Sequence, residues 1–93
     1  MEIKHEQSES KGSFFIAENG KRLAEMTYSK AGTDLIIIDH TEVSDDLRGK
    51  SVGVKLVQAA VEYARKNKIK ILPLCPFAKS VFDKKPEYAD VER

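Results

Sequence analysis

The run Leu35-Ile36-Ile37-Ile38 leads into Val43-Ser44-Asp45-Asp46-Leu47-Arg48-Gly49-Lys50-Ser51-Val52-Gly53, and an amphipathic helical pattern follows. This succession restricts the fold more than any other feature of the chain. Strand, short polar loop with two glycines, then helix is the local geometry of an anion cradle. The first N–H groups of a helix have no intrahelical acceptor, and the helix dipole favours negative charge beside them. Gly49 and Gly53 let backbone come close to a ligand, while Arg48 and Lys50 add positive charge. The spacing is that of neither common phosphate loop, since G-x-x-x-x-G-K-S/T and G-x-G-x-x-G are both missing. A pyrophosphate-bearing cofactor is the guest that suits this geometry.

The rest of the pattern is mixed α/β. Gly12 to Glu18 and Arg22 to Tyr28 flank Asn19-Gly20, a strong hairpin signal, and Ile3 to His5 starts a short strand before them. A turn at Ala31-Gly32-Thr33-Asp34 leads to a strand Leu35–Val43. That strand is apolar on both faces at first, as a central strand is, and then polar at Asp39, His40, Thr41 and Glu42. From Ser51 to about Asn67 the polar residues Lys55, Gln58, Glu62, Arg65 and Lys66 recur at helical spacing, so this helix lies flat on a sheet. Gly53, Ala59, Ala60 and Ala64 on its apolar side permit close packing. Ile69 to Cys75 reads as the next strand, and a strand–helix–strand unit is normally a right-handed crossover between parallel strands. Pro76 then opens a short helix to about Asp83. The expectation is one α/β domain, 1–93, with an α+β-like mixed sheet: antiparallel hairpin first, parallel central strands after.

Arg48-Gly49-Lys50-Ser51-Val52-Gly53 resembles the coenzyme A-binding signature of the GNAT N-acetyltransferases, Arg/Gln-x-x-Gly-x-Gly/Ala, with Ser51 where that family usually has Gly. A Ser there still offers its N–H and hydroxyl, and it suits a helix N-cap. Asp39-His40-Thr41-Glu42-Val43, Cys75-Pro76-Phe77 and Pro86-Glu87-Tyr88 extend the likeness over nearly the whole chain, which is similar to the short single-domain YjdJ-type branch of that superfamily. The resemblance implies a minimal GNAT fold in which Leu35–Val43 and Ile69–Cys75 are parallel and splayed. It implies acetyl-CoA as acyl donor, with the CoA pyrophosphate at Arg48, Gly49, Lys50, Ser51, Val52 and Gly53, and the pantetheine arm on backbone groups of Val43. The acceptor it implies is an amine: a protein tail, a polyamine or a small amine. Little chain precedes the hairpin to supply the helices that wall the acceptor site in fuller GNAT domains, so an open site for a large or extended acceptor is expected.

Three side chains are candidates for the chemistry. Cys75 ends the strand after the cradle helix and precedes a helix N-terminus, which lowers a thiol pKa from about 8.5. It reads as a nucleophile that takes acetyl from the thioester, or else as a buried inert thiol. His40, at the polar end of a central strand, reads as the general base for that thiol, or as a structural histidine. Glu42, on the same strand face two residues on, is the base for direct attack by an amine. One Cys and two separated His give no metal-ligand spacing.

With 41% apolar residues among 93, the composition is that of a globular chain. No apolar run exceeds four residues, the length of Leu35 to Ile38, which is too short to span a membrane, and nothing reads as a signal peptide. A lone Cys points to a reducing, cytoplasmic location. The net charge of +1 hides a split. Residues 1–47 hold five Lys/Arg against ten Asp/Glu, a balance of −5, whereas residues 48–70 hold seven against one, a balance of +6. The basic middle suits a polyphosphate cofactor, and the acidic first half suits a cationic acceptor; plain solvated surface is the competing account. Nucleic acid is disfavoured, because the basic stretch is mainly the outer stripe of one helix without interleaved aromatics. The functions in competition are therefore an acetyl-CoA-dependent N-acetyltransferase, a CoA-binding module without turnover, and an interaction domain.

Overall fold

The computed structural model describes residues 2–93. Five strands, β1 (Lys4–Gln7), β2 (Lys11–Glu18), β3 (Lys21–Lys30), β4 (Leu35–Val43) and β5 (Lys70–Pro73), form one sheet in chain order. Helix α1 (Val52–Asn67) connects β4 to β5, and α2 (Pro76–Lys84) follows. The first four strands pair antiparallel and β4–β5 is parallel, as the strand–helix–strand pattern requires. Asn19 and Gly20 both have positive φ, 52° and 79°, the conformation that a tight two-residue hairpin needs. The first strand begins one residue later than Ile3, and the strand after α1 is shorter than Ile69–Cys75 because Leu74 N–H turns back onto Leu72 C=O at 3.1 Å.

Burial in the sheet is one-sided. Phe14, Ile16, Ala24, Met26, Tyr28, Ile36, Ile38 and Ile71 are buried on the face that α1 and α2 cover. They meet Leu56, Val57, Ala60, Val61 and Ala64 of α1, and Ala78, Val81 and Phe82 of α2. Burying each large aliphatic side chain contributes about 1.5–3 kcal/mol, so this single layer contact is the main source of stability. Among the described residues the opposite face carries no helix and, in the strands, Ser13 is its one buried residue, sheltered by the Arg22 guanidinium 3.2 Å from its hydroxyl.

Two departures from regular geometry position the site. The β3–β4 register jumps from Thr27↔His40 to Tyr28↔Ile38, which leaves Asp39 as an extra residue on β4. A one-residue insertion reverses the facing of everything beyond it. Ile36 and Ile38 point toward the helices before the bulge; Thr41 and Val43 do so after it, and His40 and Glu42 are turned to the open face. The β4–β5 ladder also ends early, at Ile38↔Pro73, with one further link from Cys75 N–H to Ile38 C=O at 3.1 Å. Beyond it β4 runs on to Val43 with nothing paired on that side, so the two parallel strands part.

Candidate active site

The gap between the parting strands opens into a cleft of about 300 Å³ lined by Thr41, Val43, Leu47, Arg48, Gly49, Ser51, Val52, Gly53, Val54 and Phe77. The loop residues singled out by the sequence thus form one wall, apart from Lys50, which is exposed beside it. Ser44 N–H bonds to Leu23 C=O at 2.7 Å, so by strand alternation the peptide group of Val43 turns away from β3 and into the gap.

The loop reaches α1 through a tight left-handed path. Gly49 has φ +80° and Ser51 φ +56°, and the first helical bond runs from Lys55 N–H to Ser51 C=O at 3.1 Å. The N–H groups of Val52, Gly53 and Val54 therefore precede the helical ladder and face the cleft end of the dipole, which makes an anion site. Ser51 stands at the N-cap, but its side chain forms no capping bond, and the helix begins at Val52 rather than at Ser51. Left-handed backbone at this position directs the hydroxyl away from the first turn. Arg48 is held by Asp45, Nε to Oδ1 2.8 Å, with both side chains largely in solvent. Gly53 also has a packing role: a Cβ there would lie 2.6 Å from the Phe77 ring. The space where its side chain would stand belongs to an aromatic of α2, while the residue itself lines the cleft. Phe77, 40% exposed, closes that side of the cleft.

Cys75 is buried, the residue before Pro76 at the start of α2. Its Sγ lies 3.5 Å from the Thr41 hydroxyl. Burial pushes the thiol pKa up, but hydrogen bonding from Thr41 and from the N–H groups of Ala78 and Phe77 outweighs it, and the net shift is downward. The thiol faces those helical N–H groups without making a full capping bond. His40 is not its neighbour. The bulge at Asp39 turns His40 onto the open face, where Nε2 meets Glu42 Oε1 at 2.9 Å and both side chains are exposed. The strand end Asp39–Glu42 is therefore divided: Thr41 joins Cys75 and the cleft, and the His40–Glu42 pair looks out on the other side. Thr41 was missed in the sequence because nothing there reveals a bulge, and plain alternation puts a buried Ile38 and His40 on one face.

The family model of the GCN5-related N-acetyltransferases matches residues 13–91. The chain belongs to this family. It is accordingly an acetyl-CoA-dependent N-acetyltransferase. A GCN5-like N-acetyltransferase candidate from Staphylococcus aureus, solved by NMR, is 46% identical, with 99% of this chain and 87% of that chain covered at a TM-score of 0.76. Larger GNAT enzymes share the fold at 16% identity. The ribosomal-protein-alanine N-acetyltransferase of Brucella melitensis covers 92% of this chain and 64% of its own at a TM-score of 0.64. Tetrahymena GCN5 covers 84% and 51% at 0.66. This GNAT chain thus spans about half to two-thirds of those enzymes. No match among curated proteins reaches significance. No helix of the described residues is long and apolar enough to cross a membrane.

Proposed function

We propose that this GNAT enzyme, a single-domain cytoplasmic protein of the short YjdJ-type branch, acetylates an amine on an extended or cationic acceptor through an acetyl-Cys75 intermediate. The observation that carries the reading is the Cys75 thiol, held against Thr41 of the cofactor cleft at the N-terminus of α2. The CoA pyrophosphate lies on the N–H groups of Val52, Gly53 and Val54, with Gly49, Lys50 and Arg48 beside it. The pantetheine arm runs along the free peptide group of Val43 toward Thr41. The Cys75 thiol gives its proton to solvent, and its thiolate attacks the thioester carbonyl. CoA leaves as a thiolate that takes up a proton in turn, and the acetyl group remains on Sγ. Exchange between two thioesters is nearly balanced in energy, so positioning and thiolate availability are what the protein must supply.

The acceptor approaches from the helix-free face. There the ammonium group loses a proton to the His40–Glu42 pair, the free amine reaches acetyl-Cys75 through the gap between β4 and β5, and as the amide forms its second proton passes to the departing sulfur, restoring the Cys75 thiol. The absence of any helix over that face in the described residues supports an acceptor too large for an enclosed pocket. Intact-protein mass spectrometry after mixing with acetyl-CoA should show one added acetyl, missing in Cys75→Ala. That variant should lose transfer to a Lys-rich peptide or a polyamine while binding CoA within a few fold of the parent. Near-normal transfer by Cys75→Ala would instead make direct attack the route, with Glu42 or His40 as base.

A further inference from the structure

We propose that Thr41 is the positioning residue for Cys75, its hydroxyl holding Sγ at the mouth of the β4–β5 gap. The inference rests on the reading of Cys75 given above and adds a residue that reading does not need. Three observations converge on it. The Thr41 hydroxyl lies 3.5 Å from Sγ, across the point where the parallel ladder ends. Thr41 lines the cofactor cleft, so it touches both the thiol and the space where the acyl group arrives. And it faces that way because of the Asp39 bulge, which turns His40, the expected partner, to the other side.

The chemistry follows from what a hydroxyl can do. It accepts from S–H when the thiol is neutral and donates to S⁻ when it is ionised, so the contact survives the change of state and Sγ stays aimed. A Thr on a strand is stiff at χ1, so the hydroxyl is itself held in place. Thr41 N–H contributes in the same direction as the hydroxyl, and so do the N–H groups of Phe77 and Ala78 at the start of α2. No charged side chain figures among the influences on the thiol. The hydroxyl is therefore the one side-chain donor that substitution can remove.

Thr41→Val keeps the shape and β-branching and removes the donor; Thr41→Ser keeps the donor and loses a methyl group. Alkylation of the protein by iodoacetamide, followed against pH without acetyl-CoA, reads the thiol directly. In Thr41→Val the midpoint of that profile should rise by about one unit, with acetyl transfer to Cys75 at pH 7 slowed roughly tenfold. Thr41→Ser should restore most of both. Val and parent profiles that superimpose, or a Ser variant no better than Val, overturn the proposal. Should the parent never form acetyl-Cys75 while Val still raises the alkylation midpoint, the thioester intermediate is lost and the Thr41–Cys75 coupling stands.

Discussion

Gly49 and Gly53 are glycines for different reasons, and the difference is measurable. At Gly49 the backbone is left-handed with φ +80° and open space where a side chain would go. An Ala there costs backbone strain alone, about 1 kcal/mol. At Gly53 the backbone is ordinary helix, and the obstacle is the Phe77 ring 2.6 Å from the missing Cβ. Overpacking of this kind costs about 1–3 kcal/mol, and the low end applies because Phe77 is partly exposed and its ring can swing outward. That swing removes a wall of the cleft. Gly53→Ala should therefore lower the melting temperature slightly and weaken CoA binding several fold, whereas Gly49→Ala should destabilise comparably and leave the Phe77 environment unchanged. Calorimetric titration with CoA beside aromatic-proton NMR separates them. If Gly53→Ala leaves the Phe77 resonances in place, the packing account is wrong.

The decisive element is α1, a helix whose two ends do different work. Its C-terminus is closed by Lys68 in the left-handed conformation, with its N–H on Ala64 and Arg65 carbonyls and Ile69 N–H on Ala64 C=O at 2.8 Å. Its N-terminus is left uncapped by any side chain, so three N–H groups remain for an anion. Between the ends, Leu56, Val57, Ala60, Val61 and Ala64 fasten it to the sheet. The anion site is thereby rigid. Ser51→Asp adds a negative charge beside the proposed phosphate site, at a left-handed position that Asp tolerates. CoA affinity should fall more than tenfold, equivalent to about 1.4 kcal/mol, with the fold intact by circular dichroism. Equal affinity for parent and variant would move the pyrophosphate elsewhere.

At the scale of the whole molecule, one face of the sheet carries no helix among the described residues, and the edge strand β1 is only four residues long. Beside its pairing with β2, β1 is tied down by His5, stacked on Phe14 with centroids 4.1 Å apart, edge-on to Tyr63 of α1 at 4.7 Å, and 2.6 Å from the Tyr28 hydroxyl. Burial first, and then the nearby Lys30 charge, lower the His5 pKa below 6.5. The unfolded chain consequently binds the proton more readily than the folded one, and stability falls as pH drops from about 6.5 through the lowered value. His5→Phe should flatten that part of the melting-temperature profile; an unchanged slope between pH 7 and 5 would exclude His5 as its source. The hairpin at Asn19-Gly20, the crossover through α1 and the Gly49 loop were all legible in the sequence, because each depends on local conformational preference or on apolar periodicity within one element. The candidate site was legible as a list of residues around Val43–Gly53 and Cys75, but not as an arrangement. Whether His40 or Thr41 meets Cys75 depends on a single extra residue in the β3–β4 pairing, and that Phe77 fills the space beside Gly53 depends on how α2 docks on α1. Both are set by contacts between segments far apart in the chain, where packing of the core, not local propensity, fixes the register.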